Sequence, residues 1–252
     1  MARHVLLNNV AHKNLRIITR HGARFGENVG SVLTFPTEYG DIQREYPIFF
    51  RKDATTGELS SVALLGFEKD ENLFLDGDRW DARYIPGVLA RGPFLIGFQE
   101  RDSDGDVHRE PVIHLDLDDP RVSETEGEPV FLPQGGNSHY LERVAATLNG
   151  IHEGMALSRA MFAAFNEFHL IEPVKVEVKL GPNEQYDLVG LHTISEEKLR
   201  ALDGTALEKL NHAGFLQGAF LVIASLNNMK KLIDMKHRKR SLAAGAGARI
   251  AN

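Results

Sequence analysis

The sequence predicts an α+β protein: mainly antiparallel sheet in the N-terminal half, then a helical middle and a helical C-terminal region with a second β-hairpin between them. Three observations carry this. Between Tyr46 and Leu117, short runs of Ile, Val, Phe and Leu are separated by Gly, Pro and Asp turns too short for parallel crossovers. From Ser138 the apolar residues change to helical spacing. Val174 to Leu180 then alternates Val/Leu with Lys/Glu, the pattern of a strand with one buried and one solvated face. The chain reads as one interlocked domain over residues 1–240, sheet-rich at 15–117 and helical with a hairpin at 138–240. An Ala/Gly-rich tail at 241–252 is expected to be disordered.

In chain order, Leu15 to Ile18 predicts a short strand, and Arg20 to Gly26 a loop bracketed by Gly. Pro36 starts a short helix that ends near Arg44. Pro47 to Arg51 and Ser61 to Phe67 form a hairpin over the Asp53–Gly57 turn. Leu73 to Leu75 is a strand stopped by Asp76-Gly77. Phe94 to Gln99 and Pro111 to Leu117 pair across the Asp102–Asp106 turn. A polar connector covers 118–137. Ser138 then caps a helix whose apolar face is Leu141, Val144, Ala145, Leu148, His152, Met155, Phe162 and Phe165. Gly150 and Gly154 each cost about 1 kcal/mol relative to Ala there, so the helix either breaks or packs tightly at that point.

Gly181 to Asn183 turns the alternating strand, and Tyr186 to Thr193 returns it. Ser195 caps a short helix with Glu196 and Glu197 at its positive end. Thr205 and Glu208 match a capping box, and a long helical region follows to about His237, interrupted at Gly214.

Composition narrows the function classes. The chain has 252 residues, 42% hydrophobic and 25% charged, enough for a core without staples. With no Cys, disulfides, zinc–thiolate sites, thiol catalysis and iron–sulfur clusters are excluded. A net charge of -6 speaks against a general nucleic-acid binder. The most apolar segment, Gly214 to Leu226, falls short of the roughly 20 residues of a membrane span and predicts a buried helix. Val5, Leu6, Leu7 and Val10, broken by two Asn, are too few for a signal-peptide core, so a cytoplasmic location is expected. No cofactor motif stands out.

Several constellations point to chemistry, each beside a plainer reading. Trp80, Arg83, Tyr84 and Arg91 are residue types enriched at binding hot spots; alternatively they form a packed loop with Arg83 paired to Asp78 or Asp81. His114 and Asp116, two apart on a strand, share a face and would make a non-haem iron triad with His139, His152, His169 or His192. They equally suit the open face of a sheet. Asp102, Asp104 and Asp106 begin like a calcium loop, but Val107 and Ile113 stand where it needs Gly and Glu. No nucleophile elbow or phosphate loop is present, and Gly22 to Gly30 reads as a plain loop. Lys230, Lys231, Lys236, Arg238, Lys239 and Arg240, opposed only by Asp234, suit an anionic surface or a solvated helix end.

Tyr46-Pro47-Ile48-Phe49, Ala63 to Gly66, Glu71 to Phe74, Trp80, Tyr84-Ile85-Pro86 and Pro93-Phe94 follow one another in an order that resembles the SapC family of bacterial proteins. Glu126 to Phe131, Leu188 to Leu191, Lys198-Leu199, Leu202 and Ala224 to Leu226 extend the resemblance over nearly the whole chain. It departs from the family pattern at Ala90-Arg91-Gly92. The resemblance implies no catalytic residues. It implies a link to a bacterial surface layer, a cell-envelope location as the alternative to the cytoplasm, and an accessory role beside outer-membrane receptors or flavin-dependent halogenases. An unrelated peptide-transporter permease shares the name. The expectation is therefore a non-enzymatic accessory protein that binds a protein partner or small ligand through Trp80, Arg83, Tyr84 and Arg91. The iron oxygenase and the anionic-surface binder are its alternatives.

Overall fold

The computed structural model describes residues 3–103, 106–181 and 184–250. The chain opens with β1 (His4–Leu6), β2 (Arg16–Ile17) and β3 (Ser31–Thr34), then α1 (Tyr39–Ile42) behind a 3-10 turn at Pro36–Glu38. The hairpin β4 (Ile48–Lys52) and β5 (Leu59–Leu64) and the small pair β6 (Leu75–Asp76) and β7 (Arg79–Trp80) follow. Next come α2 (Gly87–Ala90), the long strands β8 (Phe94–Ser103) and β9 (Asp106–Asp116), and the short β10 (Val122–Ser123) and β11 (Glu128–Pro129). Helix α3 (His139–Glu167) leads to β12 (Ile171–Gly181) and β13 (Glu184–Ile194). The chain ends with α4 (Glu196–Arg200), α5 (Gly204–His212), α6 (Phe215–Ser225) and α7 (Asn228–Ile250).

The protein is α+β with antiparallel pairing throughout the described strands, as the short connections predict. The two hairpins predicted separately are one five-stranded sheet in the order β12-β13-β4-β5-β3. Leu191 opposite Arg51 and His192 opposite Phe50 join them. A second sheet runs β1-β9-β8, and β2 sits between β10 and β11.

Two hydrophobic cores result, and α3 spans both. Its N-terminal half gives Leu141, Val144 and Leu148 to the smaller core, with Phe94, Leu115, Ile17 and Val130. Its C-terminal half gives Met161, Phe162 and Phe165 to the larger core under the five-stranded sheet. Phe162 meets Phe50 edge-to-face at 5.1 Å between centroids. Between the halves the buried face rotates. His152 and Met155, predicted on the apolar face, are exposed, Met155 at 49%. Gly154 is buried instead: a Cβ there would stand 2.5 Å from Phe35 Cβ and 2.6 Å from Thr37 Oγ1. Close packing, not a break, accounts for this glycine.

Some helix ends differ from expectation. Asp203 caps α5, its carboxylate accepting from the Ala206 amide at 2.8 Å, so the helix starts before Thr205. Ser195 precedes α4 without a side-chain cap bond. Gly214, at φ 74°, divides α5 from α6, and Leu226-Asn227 divides α6 from α7. Helix α7 runs to Ile250, past the Ser241 at which a disordered tail was expected; its many Ala residues favour helix. The turn residues Asp104, Pro182 and Asn183 lie outside the described residues. Among the described residues, no helix is long and apolar enough to cross a membrane.

Candidate functional site

The residues singled out around Trp80 hold part of the wall of a cleft. Trp80 is half-buried, stacked on Phe74 at 6.1 Å and edge-on to His21 at 5.5 Å. Its Nε1–H donates to the Tyr46 hydroxyl at 2.8 Å, and Tyr46 donates in turn to the Tyr84 carbonyl. The Tyr84 hydroxyl donates to Glu38 Oε2 at 2.7 Å. The same oxygen takes the Gly87 amide at 2.9 Å, and Glu38 Oε1 takes the Thr34 hydroxyl at 2.8 Å. Burial, then the charge of Glu38, pushes the Tyr84 phenol far above its usual range. This chain of bonds ties the first turn of α2 to β3 and α1.

Arg83 and Arg91 stand apart from that network. Arg83 is exposed; its amide, not its guanidinium, bonds to Glu45 at 2.9 Å. Neither expected partner is free for it: Asp78 lies 3.7 Å from Arg20, and Asp81 3.9 Å from Arg238. Arg91 donates to the Phe94 carbonyl at 2.6 Å, and burial lowers its guanidinium against the opposing charge of Asp119. Its neighbours Ala90 and Gly92 line the cleft.

That cleft, about 210 Å³, lies between the Arg20–Glu27 loop, α2 and the start of α3. At its base Glu27 is only 1% exposed. Its Oε1 accepts from His21 Nδ1 at 2.9 Å and from the Arg121 guanidinium at 2.7 Å, and its Oε2 accepts from the Gly22 amide at 2.7 Å. Burial alone would raise this carboxyl. The bonds from His21 and Gly22 and the charges of His21 and Arg121 prevail and hold it below its usual value. Arg121 also donates to the Phe25 carbonyl at 3.1 Å and lies 4.5 Å above the Phe25 ring.

Three cleft residues present an open group. Arg143 lies 5.9 Å over the Tyr140 ring and, among the described residues, has no carboxylate within ion-pair distance. The Tyr140 hydroxyl has no hydrogen-bond partner there, and a Cβ on Gly92 would stand 3.6 Å from it. Burial raises the Tyr140 phenol well above its usual range despite Arg121 and Arg143, so it remains an O–H donor at neutral pH. His21 Nδ1 faces Glu27, and among the described residues its Nε2 has no hydrogen-bond partner.

Sequence reasoning passed over Glu27, His21, Arg121, Tyr140 and Arg143 as site residues. The basic loop Arg20-His21 was visible, but Arg121 is 94 residues from the carboxylate it neutralises, a pairing no local pattern announces.

The other expected constellations do not gather. The His114 ring packs over Gly97, where an added Cβ would come within 2.7 Å of it. Asp116 accepts from the Arg3 and Asp118 amides, each at 3.1 Å, with His4 3.9 Å away. Among the described residues no three His, Asp or Glu side chains stand together as a metal site. Most of the basic run of α7 is turned onto the protein, while Lys230 and Arg238 are exposed. Lys231 bonds Glu45, Lys236 bonds Glu68 and Glu71, Arg240 bonds Glu184, and Lys239 donates to the Asn72 and Leu75 carbonyls.

A family model described as SapC matches residues 7–232. The chain belongs to the SapC family. The matched span takes in every lining residue of the cleft and ends inside α7 at Leu232, ahead of Lys236, Arg238, Lys239 and Arg240. No curated protein and no solved structure matches this SapC-family chain.

Proposed function

We propose that this SapC-family chain acts by binding, as an accessory protein, and that its ligand or partner is recognised in the cleft at Arg143 and Tyr140 beside Trp80. One observation carries the reading. A half-buried phenol and an exposed guanidinium line the same cleft, and among the described residues neither has a hydrogen-bond or ion-pair partner. The Trp80–Tyr46–Tyr84–Glu38 chain acts as the rigid support of the α2 wall. A place in the bacterial envelope, suggested by the family's surface-layer name, is part of this proposal; fractionation of the native cells tests it.

The test is a thermal-shift screen with a small-molecule library of anionic, neutral and cationic compounds. Ala90 is exposed and lines the cleft, so Ala90→Trp fills it at little cost to the fold. Compounds that raise the Tm of the wild type and not of Ala90→Trp support the reading. Compounds that stabilise both equally locate binding elsewhere and overturn it.

A second reading is favoured by the Glu27–His21 pair. A buried carboxylate holding Nδ1–H leaves Nε2 as a general base, the arrangement that activates water. Hydrolysis of an ester panel that survives His21→Gln unchanged would remove it. The oxygenase alternative has no third ligand to rest on among the described residues.

A further inference from the structure

We infer that the group held in the cleft is an oxyanion, a carboxylate or a phosphate, gripped by Arg143 and Tyr140. The inference rests on the cleft being the binding site and names what it takes. Two of the open groups are a guanidinium, which donates only, and a phenol, whose hydroxyl remains protonated at neutral pH. They are three residues apart on α3, hence on one face of it. A ligand rich in acceptors and poor in donors satisfies both, and a guanidinium binds carboxylate or phosphate with two parallel bonds.

The remaining charges set the limits. Glu27 cannot compete for Arg143, because His21, Gly22 and Arg121 already occupy its oxygens. Arg20 is held by Glu126 and Asp78, and Arg121 by Glu27 and Asp119. Glu128 is a lining carboxylate with no cation at ion-pair distance among the described residues; it is exposed, so it opposes added negative charge at the rim. The cleft therefore suits one anionic end group. Its volume, about 210 Å³, is below the roughly 300 Å³ at which pockets for drug-sized ligands begin, which again points to an end group and not a whole nucleotide.

Isothermal titration of the full chain at constant ionic strength tests this, with succinate, inorganic phosphate and the neutral polyol erythritol as probes. Saturable binding of succinate or phosphate is expected, weakened about 10-fold or more in Arg143→Met and about 5-fold in Tyr140→Phe. Erythritol should not bind. Whichever anion binds tells a carboxylate site from a phosphate site. Anion binding that Arg143→Met leaves unchanged, or no saturation by either anion, overturns the inference. Should neutral compounds bind and be blocked by Ala90→Trp while the anions do not, the oxyanion falls and the cleft stands. Should the anions bind equally well to Ala90→Trp, both fall. Urea unfolding of each variant confirms that a lost signal is not lost fold.

Discussion

The cations of α7 and those of the cleft differ in what faces them. In α7, Lys231, Lys236 and Arg240 each meet a carboxylate and Lys239 meets two carbonyls, so the run docks the helix against β6, β13 and the loops beneath it. Lys236 is 7% exposed, between Glu68 and Glu71 and 4.8 Å from the Tyr186 ring centroid. In the cleft, Arg121 plays the same neutralising part for Glu27, but among the described residues Arg143 has no such partner. A dense run of charge in sequence thus belongs to a docked element, while the arginine proposed to bind a ligand has no carboxylate partner among the described residues. Partners, not charge density, separate the two.

The comparison is broken most severely at Glu27. Glu27→Ala takes from the buried Arg121 its hydrogen-bonded counter-charge, leaving only Asp119 at 3.7 Å, and should cost about 3 kcal/mol, read from urea unfolding. An unchanged midpoint would mean that the Glu27 carboxylate does not hold the cleft base together. Because the Glu27 carboxyl is held below its usual value, its contribution is present above the unfolded carboxyl range, about pH 4.3, and is lost as pH falls through the lower folded value. Glu27→Gln should flatten that acid limb.

Lys236→Met removes the partner of two carboxylates and should cost about 2 kcal/mol. Burial opposes the charge of Lys236, but its bonds to Glu71 and Glu68 raise it overall. Its stabilisation is therefore complete below the unfolded lysine value, about 10.4, and is lost only as pH rises through the higher folded one. A variant whose midpoint differs from wild type more at neutral pH than at strongly alkaline pH meets this expectation.

Trp80→Phe keeps the ring but loses the bond to Tyr46, about 1 kcal/mol by unfolding midpoint, with ligand binding retained if Trp80 is support and not contact. Arg143→Met should alter stability least, within about 0.5 kcal/mol, because that side chain holds nothing of the fold together. A large destabilisation there would make Arg143 an ordinary structural residue.

Much of the fold was legible because it is written in local patterns. Turn chemistry at Asp53–Gly57, alternation at Val174–Leu180 and the Ser138 cap each gave the right element. The join of the two hairpins was not, since a contact between Leu191 and Arg51 leaves no local trace. The exposure of Met155 was missed because α3 serves two cores and its buried face turns between them. For the site, the residue types of Trp80 and Tyr84 pointed to a stretch that packs beside the cleft without lining it. The groups that line the cleft come from four segments brought together only by folding, and burial of Glu27 is a property of that assembly.

The most direct test is a paired thermal-shift screen of the wild type, Ala90→Trp and Arg143→Met with the same compounds. Stabilisation by anionic compounds should vanish when the cleft is filled and fall sharply when its open guanidinium is removed, while the unliganded midpoints stay close. Stabilisation that persists undiminished in both variants would contradict the assignment of the cleft as the place where this SapC-family chain binds.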